Sequence, residues 1–445
     1  MMMRLMLLSL VAVLCAGAQG WKAGVAKVDI TPSGPIWMGG YGARNRPSEG
    51  VLQPLYLKAL AIEDGKKGRV VFLTADLIGF PRSVADEIAI AALKRYGLQR
   101  NELVINASHT HSGPVVWPNL STMYPMNDAQ RASVEAFTRK LVLQAGEAIG
   151  AALGALQNAS VEYSRGSADF AIYRRLPDGQ GNYKLAPNPA GPTDHSVPVL
   201  KVMGKEGKPI AILFSYACHN TTMTGEFYEL NADYAGFAQA ELEQRYPGSV
   251  ALFATGCGGD QNPNPRSSLD HAKEHGRALA NAVAKVADGK GEVLSGRIRS
   301  GFHLIELPFQ PFSRSDFEAE LKSPNKYNAA RAKDMLRAMD NRTIPRSLPY
   351  PIQVLKLGQA DIVALGGEVV VGYCLRLRQE TGNEKLIVFG YSNDVMSYIP
   401  TRRQVEEGGY EGKDSFVYYG QPAPISVNAE DMIIDRAKAL LKKVK

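Results

Sequence analysis

A chain of 445 residues with 45% hydrophobic side chains has ample material for a large core, and its length allows one big domain or two to three small ones. Its 51 Lys and Arg against 44 Asp and Glu leave a formal charge of +7, scattered apart from a short run at residues 442–445. No basic stripe with interleaved aromatics accompanies that charge, which argues against a nucleic-acid partner. An anionic partner or a peripheral membrane contact remains compatible with it.

Residues 1–18 read as a secretory signal: Arg4, an apolar stretch over 5–14, then Ala16-Gly17-Ala18 before a cut near Gln19. This predicts a secreted or periplasmic protein. Cys15 would instead mark a lipoprotein, although Ala12-Val13-Leu14 is a poor context for lipidation. Residues 19–445 form the mature chain, in which no stretch is long and apolar enough to cross a membrane. Cys218, Cys257 and Cys374 are too few for a disulfide framework, although one pair is possible. Each lies in an apolar or glycine-rich run and reads as a small packing residue.

In chain order, residues 24–31 read as a strand and 32–50 as a Pro/Gly-rich loop. Strands follow at 57–63, 69–74 and 102–107, with amphipathic helices at 83–96 and 129–153. A hairpin is expected from 197–203 and 209–216 around the turn 204–207, then a helix capped by Asp233 and running to Arg245. Strand 250–255 and helix 269–286 come next, then strand 297–307 and a charged helix over 314–337. Strands at 352–357, 362–365 and 385–391 precede a last helix over 429–442. Helices and strands alternate, with no dividing linker and no clear repeat. The expected fold is one large mixed α/β domain, with mixed sheets flanked by helices.

Two strand ends carry histidine. His109 and His111 follow the apolar run ending at Ala107, and in an extended segment residues two apart point the same way. His219 ends the second run, with polar Asn220 and Thr221 beyond it. Neutral imidazole is a good zinc ligand, and a catalytic zinc takes about three protein ligands and keeps an open position. Glu368, after the bend Gly366-Gly367, is the expected carboxylate ligand. A third strand ends in Thr255-Gly-Cys-Gly-Gly-Asp260-Gln-Asn262-Pro-Asn264, where Asp260 and Asn262 offer polar contacts to a substrate, as does Asn220 at the second strand end. The lysine of a phosphate-binding loop is missing there.

At these residues the chain resembles the catalytic N-terminal domain of the neutral/alkaline non-lysosomal ceramidase family. The matching pieces are Val28-Asp-Ile-Thr-Pro32, Val70-Val-Phe-Leu-Thr-Ala-Asp76, Asn106-Ala-Ser-His-Thr-His-Ser-Gly-Pro114, Tyr216-Ala-Cys-His219, Thr255-Gly-Cys-Gly-Gly-Asp260, Gly366-Gly-Glu368, and Tyr398 with Tyr410-Glu-Gly412. They occur in order over nearly the whole mature chain. The resemblance implies a zinc amidase that is secreted or membrane-associated and hydrolyses the N-acyl bond of a lipid. It places the Zn2+ ligands on His109, His219, Glu368 and Tyr398, and a histidine serving water and substrate on His111. It also places the family's arginine on Arg174 or its neighbour Arg175, and the tyrosine that steadies the oxyanion on Tyr410. Asn262 departs from the family, which has serine there, and the expectation is a chain lacking the family's C-terminal immunoglobulin-like domain. An N-acylated sugar or an ester is therefore a rival substrate. A glycosidase would need paired carboxylates across a cleft, such as Asp260 and Asp394. A non-catalytic metal-stabilised binding protein would show closed coordination.

Overall fold

Period-two alternation of apolar residues sorts most of the strands onto three large sheets that share one core, beside four two-stranded pairs among the described residues. A computed structural model describes residues 20–444, so the signal segment and Cys15 lie outside the described residues. In the first sheet the strand order is Leu103–Ala107, Arg69–Ala75, Tyr56–Glu63, Lys22–Asp29 and Gln157–Asn158. The second runs Val250–Thr255, Pro209–Tyr216, Ser196–Met203, Ser160–Ser167 and Glu292–Leu294. The third runs Ile298–Pro308, Ser347–Leu357, Ala360–Leu365 and Ile387–Phe389. Each sheet is antiparallel except for one parallel pair, with Leu103–Ala107, Val250–Thr255 or Ile387–Phe389 at its edge. A parallel pair needs a crossover connection, supplied by the helices Arg82–Tyr96, Asp233–Arg245 and Gly372–Thr381 respectively. An arrangement invisible as a sequence repeat thus recurs three times.

The alternation decides which side chains meet. Leu60, Phe72 and Val104 from the first sheet, Leu200, Leu213 and Leu252 from the second, and Leu355, Ile362 and Phe389 from the third all belong to one buried cluster. The opposite faces pack on helices: Leu73 and Ile105 with Ile88 and Leu141, Phe214 and Phe253 with Leu242 and Leu279, Val363 and Leu365 with Leu377 and Ile433. The mixed α/β expectation agrees with this architecture.

Several local expectations change. The charged helix over 314–337 is two helices, Arg314–Glu320 and Lys326–Asp340. Pro324 lies between them, and proline lacks an N–H and disfavours helical geometry at the residue before it. Asp233 is the first helical residue after Ala232, with φ +53°, while its carboxylate still accepts the Tyr234 N–H at 2.7 Å and the Met223 N–H at 2.8 Å. The helix Gly372–Thr381 and the strand Ser160–Ser167 were unread, the latter because Ser and Gly dilute its apolar alternation. Cys218, Cys257 and Cys374 are free and buried. Among the described residues no helix is long and apolar enough to cross a membrane.

The three sheets are tied together at one end by Asn106, which shares its strand face with Val104. Its Nδ2 donates to the Gly390 carbonyl at 2.8 Å and Ser392 Oγ at 3.0 Å, and its Oδ1 accepts the Thr255 N–H at 2.9 Å. Thr255 Oγ1 in turn donates to the Ala107 carbonyl at 2.8 Å. Replacing Asn106 by leucine leaves the Thr255 N–H without its acceptor in a water-free interior, a loss worth about 1–3 kcal/mol. Urea titration of Asn106→Leu should show that destabilisation, and a midpoint equal to wild type would show that the amide is not a brace.

Candidate metal centre

The strand Leu103–Ala107 hands over to a tight turn. The Ser108 and His109 N–H groups bond to the Ala75 and Leu77 carbonyls, both at 2.9 Å, and His109 takes φ +60°. The segment is therefore not extended through His109-Thr-His111, and the two rings converge because the chain turns in the left-handed region, which histidine tolerates better than most residues. His109 Nδ1 lies 2.6 Å from the Ile78 carbonyl, and His219 Nδ1 lies 2.7 Å from the Gly258 carbonyl. A carbonyl only accepts, so both Nδ1 atoms carry protons, and in that tautomer each Nε2 presents a lone pair.

Those lone pairs face a carboxylate. Glu368 follows Gly367, whose φ of +77° and 2.5 Å clearance from Ile399 to an added side-chain carbon leave room for glycine alone. Glu368 Oε2 stands 3.1 Å from His109 Nε2 and 3.0 Å from His219 Nε2. Glu368 and Tyr398 are in register on a short parallel bridge, and the Tyr398 hydroxyl oxygen is 3.2 Å from His219 Nε2. His111 Nε2 lies 3.1 Å from His109 Nε2, while Gly40 at φ +91° lies against its ring so closely that a side-chain carbon would stand 2.4 Å away. Among the described residues, ligand atoms of His109, His111 and His219 lie within 4.8 Å of one another.

Burial, then Arg174, lowers the His219 pKa to about 4, and burial followed by its two histidine neighbours takes His111 well below its usual value. With both Nδ1 atoms donating to carbonyls, the site sets two imidazole Nε2 acceptors against a carboxylate acceptor. Two nitrogen lone pairs at hydrogen-bond distance from an ionised oxygen repel it unless a cation lies between them, and imidazole nitrogen with carboxylate oxygen is a donor set for a divalent ion. The residues fit a metal.

A cavity of about 960 Å³ opens beside them, lined by His111, Arg174, Asn262, Tyr398 and Tyr410, with His109, His219 and Glu368 behind that wall. The cluster is thus enclosed on its protein side and adjoins open volume on the other. Arg174 is the arginine of this wall: its Nε donates to Glu411 at 2.7 Å, Nη1 to Asn262 Oδ1 at 3.1 Å and Nη2 to the Tyr398 hydroxyl at 2.9 Å. With every nitrogen committed, Arg174 holds its neighbours in place and is not a free clamp for a substrate anion. Arg175 points elsewhere, to Glu411 and Glu407. Tyr410 packs edge-on to Tyr398 with ring centroids 5.3 Å apart, and burial raises its hydroxyl pKa, so it remains a donor.

Two expected substrate contacts are displaced. Asp260 is buried away from this cavity, with Oδ1 accepting the Val371 N–H at 2.9 Å and Oδ2 the Gln404 amide at 2.8 Å, and burial raises its pKa to about 6. Asn220 spends its amide on the Ser108 carbonyl at 2.5 Å and the Ala235 N–H at 3.1 Å. Asn220 thereby braces the turn that carries His109, and Asp260 ties its own loop to the segment just beyond Glu368. Asp394 is also buried and off the wall, so no carboxylate pair spans the cleft. Sequence reasoning missed Tyr419, whose hydroxyl donates to Glu368 Oε1, and Tyr391, whose ring centroid lies 4.5 Å from that of His109. Tyr391 follows Gly390 on a strand end, the same signal that marked the histidines, whereas Tyr419 carried none.

Residues 21–299, well over half the chain, match the family model described as neutral/alkaline non-lysosomal ceramidase, N-terminal. The neutral ceramidase of Pseudomonas aeruginosa is 24% identical over an alignment covering 95% of this chain and 72% of that protein. The neutral ceramidase of Mycobacterium tuberculosis is 22% identical over 84% of this chain and 70% of its own length. The crystal structure of the Pseudomonas aeruginosa enzyme superposes with a TM-score of 0.74 at 22% identity, covering 96% of this chain and 75% of that one. The chain belongs to the neutral/alkaline non-lysosomal ceramidase family, and by that membership it is a hydrolase.

Proposed function

We propose that this protein is a zinc-dependent amidase that cleaves the N-acyl bond of a lipid-like substrate, as the names of its relatives suggest. The observation that carries the reading is the pair of imidazole Nε2 lone pairs held 3.0 and 3.1 Å from one carboxylate oxygen, at the wall of an open cavity. His109, His219 and Glu368 would hold the ion, with the Tyr398 oxygen as a fourth ligand. Bound zinc supplies Lewis acidity to the substrate carbonyl and makes a water acidic near neutral pH.

The remaining steps belong to the side chains on the wall. His111, neutral, accepts at Nε2 the proton that the attacking water loses as its oxygen bonds to the acyl carbon. It returns that proton to the amine nitrogen as the C–N bond breaks, giving a free acid and an amine. Tyr410 donates its hydroxyl proton in a hydrogen bond to the carbonyl oxygen as that oxygen gains charge. Asn262 is no nucleophile, and with Oδ1 taken by Arg174 its amide nitrogen is the group it offers to substrate. The cavity argues against a closed structural metal site, and the lack of a carboxylate pair on its wall argues against a glycosidase. The same proposal includes export by residues 1–18 and action at a membrane surface, supported by the composition of that segment and the chain's positive charge.

Metal analysis of purified protein should give about one zinc per chain, and Glu368→Ala should weaken zinc affinity by roughly tenfold or more. Stoichiometric zinc at unchanged affinity in that variant would remove Glu368 from the ligand set. For His111→Ala, turnover should fall by about 10²–10⁴-fold with metal content retained; parallel loss of zinc would make His111 a ligand instead. Tyr410→Phe should lower kcat by about 10²–10³-fold with little change in KM. A panel of N-acyl lipids, N-acyl sugars and simple esters tests the bond itself, and turnover confined to esters would sink the amidase assignment.

A further inference from the structure

The cavity beside the metal centre carries more positive charge than the proposed chemistry uses. Three arginines line it, Arg46, Arg174 and Arg266, against the single carboxylate of Glu226 at its exposed rim. Arg174 is spent on Glu411, and Arg46 pairs with Glu49 at 2.6 Å. Arg266 forms no ion pair among the described residues: Nη2 donates to the Tyr41 hydroxyl at 3.2 Å, and its Nε is buried with no partner. On the other side of Tyr41 lies Arg44, 1% exposed, whose guanidinium sits 5.0 Å from the ring centroid. Arg44 too has no acid, donating only to the Gly39, His111 and Phe227 carbonyls. Two guanidinium groups without an ion-paired carboxylate, sharing only the more distant charge of Glu226, therefore neighbour one tyrosine, whose ring centroid is 4.8 Å from that of His111.

A neutral substrate pressed against Arg266 strips water from a cation without replacing the lost hydrogen bonds, whereas an anion replaces them with stronger ones. We propose that the cavity selects N-acyl substrates bearing an anionic group, a carboxylate, phosphate or sulfonate, within about one tyrosine's length of the amide, and that Arg266 is the specificity-determining residue. Arg44, too deep to touch the ligand, adds a fixed positive charge behind Tyr41. This rests on the amidase reading above and narrows its substrate class.

The test compares N-lauroyltaurine with N-lauroylethanolamine, below their micellar concentrations, on the zinc-loaded full chain. The two share acyl chain and two-carbon spacer and differ in sulfonate against hydroxyl. Wild type should favour the taurine conjugate in kcat/KM by about tenfold or more. Arg266→Gln should abolish that ratio, and Arg266→Lys, which keeps the charge and guards against misfolding, should retain part of it. Equal or better cleavage of the ethanolamide by wild type, or an unchanged ratio in Arg266→Gln, overturns the inference. If neither compound is cleaved, the amidase reading fails separately, and calorimetric titration of the same two compounds still decides the anion site. About tenfold tighter binding of the sulfonate, lost in Arg266→Gln, supports it; equal affinities reject it.

Discussion

One carboxylate oxygen facing two imidazole lone pairs is the constraint on which the rest of this structure depends. The arrangement exists because the Nδ1 protons of His109 and His219 are committed to the Ile78 and Gly258 carbonyls. Neither ring can turn to offer Glu368 a proton without abandoning a buried carbonyl, which costs about 1–3 kcal/mol. A divalent cation between the three groups would resolve the repulsion. The backbone is bent to suit: His109, Tyr391 and Asn393, all around this point, hold positive φ, a conformation that costs about 1–3 kcal/mol each and persists only where packing enforces it.

That enforcement comes from the three-sheet core. Each sheet delivers one of the proposed metal ligands just past a strand that belongs to its parallel pair: His109 after Leu103–Ala107, His219 after Pro209–Tyr216, Glu368 after Ala360–Leu365. The neighbouring parallel strands add the Gly258 carbonyl and Tyr391. Carboxyl ends of parallel strands are where open α/β folds place their ligands, and here three such edges converge instead of one. The Asn106 amide fixes the convergence by bonding to the second and third sheets from within the first. The geometry of the proposed metal site and the assembly of the sheets are therefore one property.

Around the ligands sits a buried charged network whose role is orientation. Glu411 receives Arg174 at 2.7 Å and Arg175 at 2.9 Å, and those cations hold its carboxyl below the usual range despite burial. Such pairs add little net stability because desolvation offsets attraction. What they secure is direction: Arg174 reaches Tyr398 and Asn262 only while Glu411 anchors its Nε. The contrast with Arg266, beside Tyr41 and without an acid, separates a guanidinium built into the frame from one left for a ligand.

Much of this was legible in the primary structure, for identifiable reasons. Strands such as Arg69–Ala75 and helices such as Leu269–Ala287 announce themselves by period, and Pro324 is the kind of breaker that an even charge pattern hides. His109, His219 and Glu368 stood out because each follows an apolar run, a local signal. Tyr398 and Tyr410 emerged only through resemblance, since a tyrosine in such a sequence ordinarily reads as packing. The sequence by itself determined the elements, the polar residues at strand ends and the family. Which of those residues face one another was decided by tertiary structure alone. Asp260 and Asn220 lie only one or two positions farther from their strand ends than His219 does, yet both turn into loops as braces, while Tyr419 arrives from 51 residues beyond Glu368 to bond its second oxygen. Hydrogen-bond partners for a buried polar group are chosen by three-dimensional proximity, and periodicity along a chain carries no record of that choice.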